Sequence, residues 1–193
     1  MRGKLGTLLI CVGAAMVLAA TALFSWNWRE SNTAGERSDE VLPLLVDEIR
    51  ERKDVPADPF SPQMTAVLID GYKYVGFLSL PTLELELPVM ADWNYDRLKI
   101  APCRQFGSSR TDDLVIAAHN YQTHFGRLKE LKEGDTVRFT DMEGIVNTYA
   151  VSKCVTLQPT EVDAVQNSGY DLVLYTCTLG GRTRVTVFCD RVE

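Results

Sequence analysis

The longest apolar run lies at the start of the chain. From Leu5 to Phe24, 20 residues pass without a charge, enough to span about 30 Å as a helix, the thickness of a bilayer's hydrocarbon core. Arg2 and Lys4 precede the run. Trp26 and Trp28 follow it at a spacing that suits an interfacial aromatic belt, with Arg29 beyond. This pattern predicts a single-pass membrane anchor over residues 1–30, its N-terminus cytoplasmic and the rest of the chain outside. Ala20-Thr21-Ala22 also offers a small-residue cleavage site, so a removed signal peptide is the competing reading; it exports the body equally.

From Ser31 to about Pro62 the sequence turns charged and proline-bearing. Within it, Glu40 to Arg50 sets Val41, Leu44, Leu45 and Ile49 on one helical face. A juxtamembrane stalk over 31–62, with one amphipathic helix docked on the body, is the expectation. Beyond Pro62 the period changes. Short apolar segments broken by turn residues recur at Thr65–Ile69, Tyr72–Ser79, Leu83–Val89, Leu114–Ala118, Thr136–Thr140, Ile145–Val151, Asp171–Thr176 and Arg182–Cys189. Helical signals are brief, near Asn94–Leu98, His124–Leu131 and Glu161–Gln166. Residues 63–193 therefore read as a mainly β domain, a closed or nearly closed eight-stranded barrel with short helices.

Composition narrows the function. The 46% hydrophobic and 24% charged fractions are those of a globular protein, which excludes a disordered or many-pass membrane chain. Net charge is −6, and residues 31–193 carry 17 basic against 25 acidic groups. Nucleic acid is not expected as a partner, because phosphate binding needs a positive field. Two histidines are too few for a metal site built mainly of imidazoles, and no cofactor is expected.

Chemistry then falls on few side chains. His119 ends the apolar strand Leu114–Ala118, where a rigid element delivers a side chain to a surface cleft, and either histidine carries protons near neutral pH. His124 lies five residues on, in a segment anchored by Phe125 and Leu128; a structural role is its commoner fate. Cys11 lies in the apolar span. Cys189 alternates with Val185 and Val187, and so reads as a small buried hydrophobe. Cys103, read as lying in a loop, and Cys154 leave a disulfide open, with no pairing legible among Cys103, Cys154 and Cys189. Cys177 closes the strand before the turn Thr178-Leu179-Gly180-Gly181, at a strand mouth. Arg184 follows in the next strand, opposite in parity to Val185 and Val187, and a guanidinium there can donate two hydrogen bonds to an oxygen gaining charge. Arg182 shares its parity.

Leu-Val-Ile-Ala-Ala-His-Asn (114–120) with His-Phe-Gly-Arg-Leu (124–128), and Val-Leu-Tyr-Thr-Cys-Thr (173–178) with Arg-Val-Thr-Val (184–187), resemble the histidine and cysteine–arginine signatures of sortases, membrane-anchored cysteine transpeptidases of mainly Gram-positive bacteria. The resemblance runs from about Ala66 to the C-terminus. It implies a sortase-type barrel in which Cys177 is the nucleophile, His119 the proton carrier, Arg184 the oxyanion donor and Thr176 a substrate contact. Ala118 stands where the family commonly has glycine, and the turn between cysteine and arginine is short. The implied reaction cleaves an LPXTG-like sorting signal at the C-terminus of a secreted protein. It proceeds through a thioacyl-enzyme to an amine acceptor, from a peptidoglycan cross-bridge or a pilin lysine, with hydrolysis as side reaction. An L,D-transpeptidase-like wall enzyme would carry its arginine almost directly after the cysteine, where Thr-Leu-Gly-Gly stands. A non-catalytic peptide-binding barrel would lack one of the three groups, and all three are present.

Overall fold

The computed structural model describes residues 2–52 and 61–192; the expected stalk's residues 53–60 lie outside the described residues. One helix, α1, runs Arg2–Arg52, about 75 Å by helical rise. The apolar run and the amphipathic stretch are thus turns of a single rod, where the composition shift had suggested a separate docking helix. Pro43 sits inside it at an exposed position, where the carbonyl it cannot bond is within reach of water. No residue of Leu5–Phe24 is buried. Further along, Ser31, Ala34, Ser38, Val41 and Leu45 are buried, a stripe at spacings of three and four that lies along the domain. Val41 and Leu45 join Tyr74, Met90, Ala117 and Met142 in one cluster, with Ile49 packed against it. Leu44, expected on that face, is 48% exposed, because it is turned about 100° from Leu45.

The domain has nine strands among the described residues: β1 (Val67–Ile69), β2 (Tyr72–Leu80), β3 (Leu85–Met90), β4 (Cys103–Phe106), β5 (Leu114–Ala118), β6 (Thr136–Asp141), β7 (Val146–Leu157), β8 (Leu172–Cys177) and β9 (Arg184–Arg191). Their order is β1-β2-β3-β4-β5-β8-β9-β7-β6, and β6 pairs back onto β2. Eight strands close into the expected barrel, with β1 outside. The composition of that eight differs from expectation in one strand. β4 was read as a loop, since Arg104 and Gln105 interrupt any apolar alternation. Cys103 therefore lies in a strand, paired with Met90 of β3 on one side and Ala117 of β5 on the other. Among the described residues two short helices form, α2 (Tyr95–Leu98) and α3 (Asp163–Gln166). The expected helix near His124–Leu131 is instead a run of turns ending in one 3-10 turn, Leu128–Glu130.

Leu114, Ile116 and Ala118 of β5, Leu172 and Leu174 of β8, and Val187 and Cys189 of β9 fill the barrel. The opposite faces are covered too: Val115, Val173 and Phe188 form an outer cluster, and Ala117 lies under α1. With both faces buried, β5 and β8 read as continuous apolar runs rather than alternating ones. Gly76 marks the bulge in β2. Its φ is +148°, and a Cβ there would meet the Thr140 carbonyl oxygen at 2.0 Å, so only glycine lets β2 approach β6 as the closure requires.

Candidate active site

β5 and β8 run parallel, and their register ends on Ala118 opposite Thr176. The residue after Ala118 is His119 and the residue after Thr176 is Cys177, so the pairing brings histidine and cysteine to the same barrel rim. Thr176 fastens the two strands: its hydroxyl donates to the Ala118 carbonyl at 2.8 Å. Expected among the substrate contacts, Thr176 turns inward by strand alternation and is only 2% exposed. β8 and β9 are antiparallel, with Cys177 directly opposite Arg184. The turn between them is tight. Thr178 N–H donates to the Thr183 carbonyl at 2.9 Å and Gly181 N–H to the Thr178 carbonyl at 2.8 Å. Gly180 (φ +83°) and Gly181 (φ +72°) take the left-handed conformations that this reversal needs.

Arg184 is half-buried. Its Nη1 donates to the carbonyls of Gly181, at 3.0 Å, and Thr183, at 3.1 Å. The turn thus holds one edge of the guanidinium, while Nε and Nη2 make no hydrogen bond among the described residues. Arg182 lies in the turn itself, before β9 begins, and is exposed. The strand parity that the sequence suggested for it therefore does not apply.

His119 stacks on Tyr121, with ring centroids 4.9 Å apart. Its Nε2 is buried with no hydrogen-bond partner among the described residues. Burial lowers its pKa below the usual 6.5; nearby Glu30 of α1 opposes that shift, and Lys99 adds to it. His124 is fully buried. Its Nε2 lies 3.4 Å from Ser38 Oγ of α1, and burial, with His119 beside it, lowers its pKa to about 4. It is a neutral packing residue. Phe125 and Leu128, its expected anchors, are both fully buried.

All five cysteines are unpaired. Burial pushes Cys103 and Cys189 up to about 12, which keeps both protonated. Cys177 is half-buried at the rim. A cavity of about 180 Å³ is lined by Arg184 and Tyr175 together with Gln105, Trp93, Tyr95 and Val165. On the side of Tyr121, a second of about 450 Å³ separates Trp26, Glu30 and Arg37 of α1 from Lys99. No strand pattern signals Tyr121, which lies in a loop, and the first cavity's lining combines strand residues such as Tyr175 and Arg184 with loop residues such as Trp93, a combination no single segment displays.

The described residues hold no group of three or more potential metal ligands. A Sortase domain model matches residues 78–192. No curated protein matches the sequence. Among solved structures, sortase C1 from Streptococcus suis is 26% identical, with 62% of this chain and 73% of that one covered at a TM-score of 0.55. Sortase C from Streptococcus pneumoniae is 22% identical over 82% and 97% of the two chains, TM-score 0.59, and sortase A from Corynebacterium diphtheriae 18% identical over 93% and 96%, TM-score 0.58. The last two likenesses speak to the fold, while the domain match covers more than half of the sequence and includes both motif-bearing strands. On that ground the chain belongs to the sortase family of transpeptidases.

Proposed function

We propose that this protein is a membrane-anchored cysteine transpeptidase whose catalytic groups are Cys177, His119 and Arg184. The observation that carries this reading is the convergence of three elements on one rim: β5 runs straight into His119, the parallel β8 ends on Cys177, and antiparallel β9 sets Arg184 opposite the cysteine. The α1 run Leu5–Phe24, long and apolar enough to cross a bilayer, anchors the domain on the outer face.

The donor is a secreted protein with a C-terminal LPXTG-like sorting signal. Its peptide lies along the cavity that Arg184 helps to line, whose aromatic and apolar side chains suit an extended chain. His119, neutral at rest because of its burial, takes the proton as the Cys177 thiol becomes thiolate. The sulfur attacks the scissile carbonyl carbon, and the free guanidinium edge of Arg184 receives the oxyanion. As the intermediate collapses, the C–N bond breaks and His119 returns its proton to the departing amine. A thioester remains on Cys177. An incoming amine, from a peptidoglycan cross-bridge or a pilin lysine, attacks that thioester, gives its proton to His119 and expels the thiolate. Peptide bonds are exchanged without a cofactor, and water in place of the amine yields hydrolysis.

The test offers the purified chain a pentapeptide library with added amines and identifies the products by mass. Amine-coupled products are expected from the wild type and none from folded Cys177→Ala. Coupling that survives in Cys177→Ala would overturn the assignment of the nucleophile.

A further inference from the structure

We propose that the anchor helix is itself a positioning element of the catalytic centre, in which Ser31, Gly35 and Ser38 of α1 clamp the 119–126 loop and so hold His119 in its reactive place. The inference rests on the reading of His119 as the proton carrier, and it adds residues more than 80 positions away in sequence to that site.

Three contacts form the clamp. Thr123 Oγ1 donates to the Ser31 carbonyl at 2.7 Å. Ser38 Oγ lies 3.4 Å from His124 Nε2. Between them the helix backbone presses on Thr123 at Gly35, where an added Cβ would stand 2.8 Å from the Thr123 methyl and 3.0 Å from its Cβ. Glycine weakens a helix interior by its conformational freedom. Its use at the point of closest approach is explained by that contact and by no turn, since α1 continues for 17 residues beyond it. Ser31 and Ser38 are buried although polar, as befits groups whose partners lie across the interface.

The loop has no helix or strand of its own, so the contacts with α1 add to the few that it makes within itself. It contains no regular element between His119 and Arg127. It folds back on itself through Phe125 N–H to the His119 carbonyl at 3.2 Å and Gly126 N–H to the Tyr121 carbonyl at 2.8 Å. A Cβ at Gly126 would meet the Asn120 and Tyr121 carbonyl oxygens at 2.7 Å. Glycines thus allow close approach on both sides of the loop, one within it and one on the helix. Tyr121 transmits the constraint, stacked on His119 and 5.7 Å from the His124 ring. The titratable and charged groups around His119 are Glu30 from α1, Lys99 beyond α2, Tyr121 and His124 from its own loop, and Cys177 at the adjoining strand end.

The experiment uses the full chain in neutral detergent with one peptide and one amine. Gly35→Ala ordinarily strengthens a helix; here it should lower kcat about tenfold with KM changed less than twofold. With only two histidines in the chain, ring NMR signals follow each one separately. In Gly35→Ala the His119 titration should move up toward 6.5 as the loop loosens and water reaches the ring. Thr123→Ser removes the methyl and keeps the hydroxyl, so Gly35→Ala with Thr123→Ser should recover most of kcat and the original titration. An unchanged kcat and titration in a folded Gly35→Ala chain, or a loss wholly in KM, would overturn the clamp. Ser38→Ala, read in the same way, decides the matter if Gly35→Ala does not fold. Full activity in His119→Ala would instead refute the catalytic reading, and the ring titration would still report on the clamp.

Discussion

Arg184 and Arg182 are two residues apart and differ in what holds them. Arg184 is gripped along one edge by the Gly181 and Thr183 carbonyls and faces Cys177 across the strand pair; Arg182 is exposed in the turn. Lysine at 184 keeps the charge and loses the planar fork, so Arg184→Lys should cut turnover by about 10²-fold, the scale of a lost oxyanion donor. Arg182→Lys should change it less than about twofold. Steady-state rates with a common peptide and amine check both, and a larger loss at 182 would move the oxyanion role there. The thiols separate in a similar way. A small alkylating reagent at neutral pH should modify Cys177 in the folded chain and reach Cys103 and Cys189 only after denaturation, because burial holds those two thiols near 12. Peptide mapping reads the order of labelling, and early modification of Cys189 would contradict its place in the barrel interior. His119 and Cys177 were legible in the sequence as polar ends of apolar strands. The Thr176 hydroxyl's bond to the Ala118 carbonyl and the stacking of Tyr121 on His119 were not: the first depends on β5 lying beside β8, the second on how the 119–126 loop folds.

At the scale of elements, the 119–126 loop ties the domain's acid stability to α1. His124 titrates near 4 in the folded chain against about 6.5 when unfolded. Above 6.5 neither state binds the proton; between 6.5 and 4 only the unfolded state does, so stability falls as pH drops through that window and levels off below it. The span corresponds to roughly 3 kcal/mol. Denaturant melts from pH 7 to pH 4 should show the fall, and His124→Gln should flatten it. A wild-type curve that is flat between 6.5 and 4 would count against His124 being buried and neutral. Eight segments of strand periodicity implied the closed barrel correctly, yet β4 escaped because its Arg104 serves loop carbonyls, those of Ala91 and Gly107, instead of an apolar face. The continuity of α1 escaped for a different reason. Its docking stripe begins with Ser31, Ala34 and Ser38, small residues that no hydrophobic pattern registers, and Gly35 and Pro43 are poor helix formers that tertiary contact overrides.

Taken as a whole, the molecule is a barrel fixed to the side of a long rod. On the proposed anchored reading, the intact chain should partition with membranes, and its domain should be open to protease added from outside the cell. A soluble form beginning at residue 23 would establish removal of the apolar run. Because α1 passes from the apolar run to the domain without a break, the barrel has little freedom to rise from or swing about the bilayer surface. Phe24 and Ser38 are 14 residues apart, about 21 Å along a helix. On that reading the helix would act as a ruler, setting the height at which peptide bonds can be exchanged. Donors tethered in the same bilayer would then be sorted by the length of spacer between motif and tether as well as by the motif itself. Seven residues of helix inserted between Trp28 and Ser31 would lift the barrel by about 10 Å and shift the preferred spacer by a matching length, while free pentapeptides would react as before.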